Sequence, residues 1–120
     1  MRLIRVVNRS RGIYLAERAE LSCSFLERGR GLLGRSELAS GEGMVLLPCK
    51  WVHSFFMRFT CSLVYVDGRG LVLKVVDRFP PNRIGPLVLR SRYVVELPAG
   101  IPSLTSTVPG DLIELEPLNL

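Results

Sequence analysis

The chain predicts a small α+β domain: a mostly antiparallel, partly closed, barrel-like β-sheet with one short helix at about 24–33 and a second helical turn near 100–105. Three observations carry this. Short runs of β-branched and aromatic residues recur along the chain, clusters of Gly and Pro separate them, and one segment alone has a strong helix-start signature. At 120 residues with 48% hydrophobic content the chain has ordinary domain size and enough apolar material for a core. No repeat, low-complexity segment or linker divides it, so a single domain over 1–120 is expected.

Leu3 to Val7 is a short β-type run, and Gly12 to Ala16 pairs with it across the polar turn Asn8-Arg9-Ser10-Arg11. Ser24-Phe25-Leu26-Glu27 has the capping-box form, in which the hydroxyl bonds the free amide three residues on and the carboxylate reaches back. That helix ends by about Leu33, because Gly29, Gly31 and Gly34 each weaken it by up to ~1 kcal/mol relative to Ala. Residues 36–43 read as a loop, and Met44 to Leu47 as a strand ended by Pro48. From Val52 a high density of Val, Phe, Thr and Tyr continues to Val66, which reads as extended chain. By period two, His53, Phe55, Met57 and Phe59 then share one face, and Ser54, Phe56, Arg58 and Thr60 the other.

Asp67-Gly68-Arg69-Gly70 turns Val64-Tyr65-Val66 into the run Leu71 to Val76, the clearest hairpin in the sequence. Phe79 to Pro86 is a rigid loop, since three prolines fix φ and remove donors. Tyr93 to Leu97 is another strand, Pro102 opens a helical turn, and Val108-Pro109-Gly110-Asp111 turns into a last strand, Leu112 to Leu115.

No apolar run approaches the roughly 20 residues that span a bilayer, so neither a membrane helix nor a membrane partner is expected. Arg2, Arg5, Arg9 and Arg11 interrupt the first dozen residues, which argues against a secretory signal and for a cytoplasmic protein beginning at Met1. Three cysteines cannot all pair, which suits a reducing compartment. The net charge of +5 has an uneven origin. Residues 1–35 hold eight arginines against three glutamates, whereas residues 36–120 hold eight basic and eight acidic groups. Arginine suits planar, bidentate recognition of phosphate or carboxylate, and also a solvated face whose stems pack on apolar neighbours.

Gly29-Arg30-Gly31-Leu32-Leu33-Gly34 matches a dinucleotide fingerprint by letter but fails it by context. A helix start precedes the glycines, and no acidic residue lies between Gly43 and Val66. No cofactor is expected. Cys49, His53, Met57 and Cys61 recur every four residues and resemble soft-metal ligands. Twelve residues span roughly 18 Å as a helix and roughly 40 Å as a strand, so at most two neighbours can share an ion, and no metal site is expected. A nucleophile pairing Cys49 or Cys61 with His53 meets the same obstacle, since four residues of strand separate them by roughly 13 Å.

Gly31-Leu32-Leu33-Gly34-Arg35, Gly41-Glu42-Gly43-Met44, and His53-Ser54-Phe55-Phe56-Met57-Arg58-Phe59 follow one another in order. Val66-Asp67-x-x-Gly70, Glu96-Leu97-Pro98-Ala99-Gly100 and Pro109-Gly110-Asp111 complete the set. This ordered series, from about Arg11 to Leu115, resembles the uncharacterised DUF192 family. The resemblance implies a small barrel-like sheet with a short helix and no established activity or cofactor. Two departures stand out. Thr60-Cys61-Ser62 replaces the family's Pro, aliphatic residue and Asp, so Ser62 stands where the family has a carboxylate, and Cys49 and Cys61 are private to this chain.

The first functional expectation is a non-enzymatic binding module whose pocket is lined by Arg35, His53, Met57 and Arg58 and accepts a small anionic or peptide-like ligand. The alternative is a hydrolase-type enzyme using His53 with Cys49 or an activated water. A third reading is weak nucleic-acid contact through the arginine-rich first third, where Tyr14 and Phe25 offer little aromatic interleaving.

Overall fold

The computed structural model describes residues 2–22, 37–55 and 57–118. Among them seven strands form one mixed sheet: β1 (Arg2–Asn8), β2 (Ile13–Ser22), β3 (Glu42–Leu46), β4 (Cys61–Val66), β5 (Val72–Phe79), β6 (Tyr93–Pro98) and β7 (Ile113–Pro117), in the order β5-β4-β6-β3-β2-β1-β7. One four-residue helix, α1 (Ile101–Leu104), precedes β7. Among the described residues the fold is β-rich with very little helix, so the α+β expectation reduces to this turn; the helix expected at 24–33 lies outside them.

The N-terminal hairpin forms as the sequence predicts, with Val7 opposite Tyr14 and Asn8 opposite Ile13. β2 and β3 pair in parallel, Glu20 opposite Met44, which requires the long connection over 23–41. The other neighbouring strands are antiparallel. β5 and β7 end the strand order, yet their starts meet. Leu71 bridges Leu112, the Val72 amide donates to Asp111 O at 2.9 Å, and the Ile113 amide donates to Gly70 O at 2.7 Å. The sheet thus curls into a half-barrel whose edges touch at one end.

That curl sorts the apolar side chains into two clusters. Val6, Ala19, Val45, Val64, Val72, Val95 and Ile113, one from each strand, meet in a single cluster, as the concave side of a curled sheet permits. Ile101 of α1 packs against it. On the other face Met44, Leu46, Cys61, Leu63, Tyr65, Phe79 and Val94, all from β3 to β6, are joined by Leu38, Val52 and Met57 from the connecting segments.

The strand expected from Val52 to Val66 is shortened to β4. The described residues of 52–60 instead contain a single bridge, His53 to Ile84, because the Met57 amide donates to Ser54 O at 3.1 Å and turns the chain. The turn changes the phase of the alternation. Trp51, His53 and Phe55 are exposed and Val52 and Ser54 buried, but Met57 is buried and Arg58 exposed. His53 and Met57 therefore do not share the face that uninterrupted period two assigned them.

Candidate ligand-binding surface

Many residues of the ordered motifs are engaged in holding the fold. Asp67 Oδ1 accepts the amides of Arg69 and Leu71, both at 2.9 Å, closing the β4–β5 turn and holding the carboxyl below its ordinary range, the Leu71 amide foremost. Gly43 sits where β3 passes close to β2 and β6: an added Cβ would lie 3.1 Å from Glu96 O and 3.2 Å from the Ala16 Cβ. Ser62 is fully buried, donates to Asp77 O, and accepts the Gly100 amide at 3.0 Å. Asp77 Oδ1 accepts the Ser103 amide at 3.0 Å, so β5 caps the first turn of α1. Ser62 thus supports the start of α1 through its hydroxyl.

What these motifs leave over is a ribbon made by two connecting segments. The Ser54 amide donates to Arg83 O at 2.8 Å, Gly85 to Val52 O at 2.7 Å, Val88 to Lys50 O at 2.9 Å and Cys49 to Arg92 O at 2.9 Å. Ser54 Oγ donates to Pro80 O and accepts the Arg83 amide at 2.9 Å, which anchors the fold-back. Val52 and Ser54 are buried, and Gly85 is buried so closely that a Cβ there would stand 2.8 Å from Val52 O and 3.0 Å from the Tyr65 hydroxyl. The outer side carries Trp51, His53, Phe55, Ile84, Leu87 and Leu89, the last three 67%, 63% and 70% exposed. His53 stacks on Phe55 at 5.3 Å between ring centres and lies 6.0 Å from Trp51. Pro48, Cys49, Lys50, Trp51 and Leu87 line a shallow open cleft of about 450 Å³.

Charge on this ribbon has one sign. Lys50, Arg58, Arg83, Arg90 and Arg92 are exposed, while neither 44–66 nor 78–95 contains an Asp or Glu. Lys50 Nζ is held by the carbonyls of Leu89 and Ser91, which orients the ammonium without neutralising it. Arg58 makes no ion pair among the described residues, and Arg90 stands near enough to Asp67 to favour its ionised form.

The structure brings His53 and Arg58 to the surface and places Met57 in the core beneath, 7% exposed; Arg35 lies outside the described residues. Cys49 Sγ donates to Trp51 O at 3.1 Å, and the Phe55 amide donates to His53 Nδ1 at 3.3 Å, so the thiol and the imidazole are each engaged with nearby backbone. Cys61 is fully buried in β4, and burial, followed by the charge of Glu96, pushes its thiol far up. A thiol held protonated is a poor nucleophile. Among the described residues no three His, Cys, Asp or Glu side chains converge as a metal site.

One buried group escaped the sequence reading. Glu96, in the middle of β6, is 2% exposed, and its Oε2 has no hydrogen-bond partner among the described residues. Met44 and Leu63 flank it on β3 and β4, with Cys61 and Tyr65 diagonal to it on β4. Desolvation in this apolar setting pushes its carboxyl up to about 7. Its burial depends on β6 lying between β3 and β4, a strand order that no local signal reveals. The ribbon had a local signal, the alternation of Trp51, His53 and Phe55 in a stretch without acids, but its partner segment lies some thirty residues away.

Comparison with known proteins agrees with this architecture. A crystal structure of a protein of unknown function from Novosphingobium aromaticivorans DSM 12444 superposes with a TM-score of 0.80 at 23% identity, covering 93% of this chain and 83% of the other. A crystal structure from Sinorhizobium meliloti 1021, of a protein described as a "putative transcription regulator", superposes with a TM-score of 0.76 at 21% identity, covering 95% and 92%. At such identities the likeness is one of fold. No curated protein matches the chain. The model of the DUF192 family, described as an uncharacterized ACR, matches residues 6–115, and the chain therefore belongs to the DUF192 family.

Proposed function

We propose that the domain is a non-enzymatic binding module whose ligand face is the outer side of the ribbon 49–55 and 82–92, together with Arg58, and whose ligand is anionic or peptide-like. The observation that carries this is an exposed aromatic and aliphatic surface, with cations and no acidic residue in either of its segments, on a backbone fixed by its own hydrogen bonds. Exposed apolar side chains gathered in one place mark interaction sites more often than ordinary surface, and their cationic surround selects for negative charge. His53 stands on this face, Arg58 is exposed three residues beyond the segment 49–55 and is assigned to the same site, Met57 is buried in the core, and Arg35 is retained on its motif alone. The buried thiol of Cys61 and the engagement of Cys49 with the Trp51 carbonyl favour binding over thiol chemistry.

Trp51 is the sole tryptophan of the chain and 48% exposed, so its fluorescence reads this surface directly. Titration with short acidic peptides containing Leu or Phe is expected to change the emission, and His53→Ala with Arg58→Ala to abolish the response with little loss of thermal stability. If both variants simply unfold, the two residues are structural and the reading fails.

A further inference from the structure

The ribbon also shows what kind of anionic partner it suits, and this step rests on the binding reading above. Its apolar side chains project from the surface, whereas a site that reads peptide side chains presents pockets. Ile84, Leu87 and Leu89 are each more than three-fifths exposed, and the adjoining cleft is shallow and open. Lys50, Val52 and Ser54 are engaged across the ribbon with Val88, Gly85, Asn82 and Arg83, and of the residues between them the Trp51 carbonyl and the Phe55 amide are taken by Cys49 Sγ and His53 Nδ1, so few groups along 50–55 are left to pair with an added strand. Aliphatic side chains offer no stacking plane to nucleic-acid bases, so an oligonucleotide would use only part of the surface. A bilayer surface uses all of it: Trp and Phe favour the headgroup level, Leu and Ile enter the acyl boundary, and Lys and Arg gain from anionic headgroups.

We propose that the outer face of the ribbon, with Trp51, Phe55, Ile84, Leu87 and Leu89 inserting and Lys50, Arg58 and Arg83 on the headgroups, docks reversibly on an anionic phospholipid bilayer. The contact is peripheral and so departs from the expectation of no membrane partner, which rested on the lack of a spanning apolar run. No helix among the described residues is long and apolar enough to cross a membrane, and none is required.

The experiment is co-sedimentation of the full chain with vesicles of pure phosphatidylcholine and with vesicles containing about one-third phosphatidylglycerol, with Trp51 emission recorded in parallel. Expected is binding to the anionic vesicles alone, weakened by salt, with a blue shift of Trp51 and quenching by brominated acyl chains. Each of Arg58→Glu and Arg83→Glu is expected to weaken binding by about fivefold or more, since a basic residue at such a surface contributes about 1 kcal/mol. Leu87→Ser with Leu89→Ser, at exposed positions that the core does not need, is expected to remove the blue shift and lower affinity about tenfold. Absence of vesicle binding while acidic peptides still change Trp51 emission overturns the bilayer and leaves the binding reading standing. Failure of vesicles and peptides alike overturns both. Equal binding to neutral and anionic vesicles, vesicle binding indifferent to the leucine substitutions, or tighter binding of oligo(dT) than of vesicles each overturns the bilayer assignment.

Discussion

The Ile113 amide donates to the Gly70 carbonyl at 2.7 Å, joining the two ends of a sheet whose strand order is otherwise open. Gly70 has φ 93, and the bond forms because nothing extends from its Cα. The turn after β4 and the turn before β7 thereby become one junction, so the Val66-Asp67-x-x-Gly70 and Pro109-Gly110-Asp111 motifs are two halves of a single closure.

Gly70→Ala is therefore expected to destabilise the domain. A Cβ would lie 2.6 Å from Ile113 O, and backbone cannot yield as a side-chain tip does. The positive φ alone costs about 1–3 kcal/mol for a residue with a Cβ, and the contact adds to it. Gly68→Ala, in the same turn but with nothing within 4 Å, is the control and should be close to neutral. Urea unfolding of both variants checks the difference, and equal midpoints would remove the junction from the account.

Ser62→Ala is expected to cost about 1 kcal/mol, because it removes a buried hydroxyl that joins the Asp77 carbonyl and the Gly100 amide and leaves them only the 3.2 Å bond between them. The loss should fall on α1 first. Hydrogen exchange of the Gly100 to Thr105 amides in the variant, compared with those of β1, would show local loosening; uniform protection would mean that Ser62 is dispensable there.

The hairpin from Val64 to Val76 was legible because its turn is chemically local: Asp67 bonds the amide of Leu71 four residues on. The turn at Pro102 and the N-terminal hairpin were legible for the same reason. Residues 52–60 were misread because their phase is set by Ser54, whose backbone and hydroxyl are engaged by residues 80–83. Propensity alone favours a strand there, and tertiary hydrogen bonding overrides it. The regular interval linking Cys49, His53, Met57 and Cys61 had no common cause: one is half-buried at the cleft, one exposed, one in the core and one in β4. Of the motif-matched candidates, His53 and Arg58 are exposed, but the leucines beside them carry no motif.

Glu96 is expected to make stability fall with pH across the neutral range. Its ordinary value is 4.5 and burial raises it to about 7, so the native state holds this proton more tightly than the unfolded state. Between about 4.5 and 7 the unfolded chain releases the proton first, and stability declines by a total of about 3 kcal/mol before levelling off. Glu96→Gln keeps the shape and removes the titration. Melting temperatures from pH 5 to pH 8 should then lose this component in the variant, with the largest relative gain at the alkaline end. Parallel profiles for the two proteins would show that the carboxylate finds a stabilising partner in solution.

Asn8→Asp is expected to reverse the pH response at the closed end of the half-barrel. Asn8 is fully buried, and its Nδ2 donates to Thr107 Oγ1 and to Asp111 Oδ2, both at 3.0 Å. Burial works against ionisation of Asp111, but the donors Asn8, Val108 and Arg11 outweigh it and hold the carboxyl below its ordinary range. In the native protein that contribution is present at neutral pH and lost on acidification. The substitution replaces a donor by an oxygen of nearly the same shape, so two carboxylates face one another where one had a partner. Both cannot ionise there without cost, and a loss of at least about 3 kcal/mol is expected at pH 7. Acidification toward roughly pH 4–5 supplies the missing proton, which the pair then shares, and the deficit relative to wild type shrinks. Asn8→Ala loses the same bonds without adding a charge, so its deficit should stay nearly constant down to about pH 4 and narrow only where Asp111 itself takes up a proton. If the two variants keep a constant difference from pH 4 to pH 8, the Asn8 to Asp111 bond does not govern this closure.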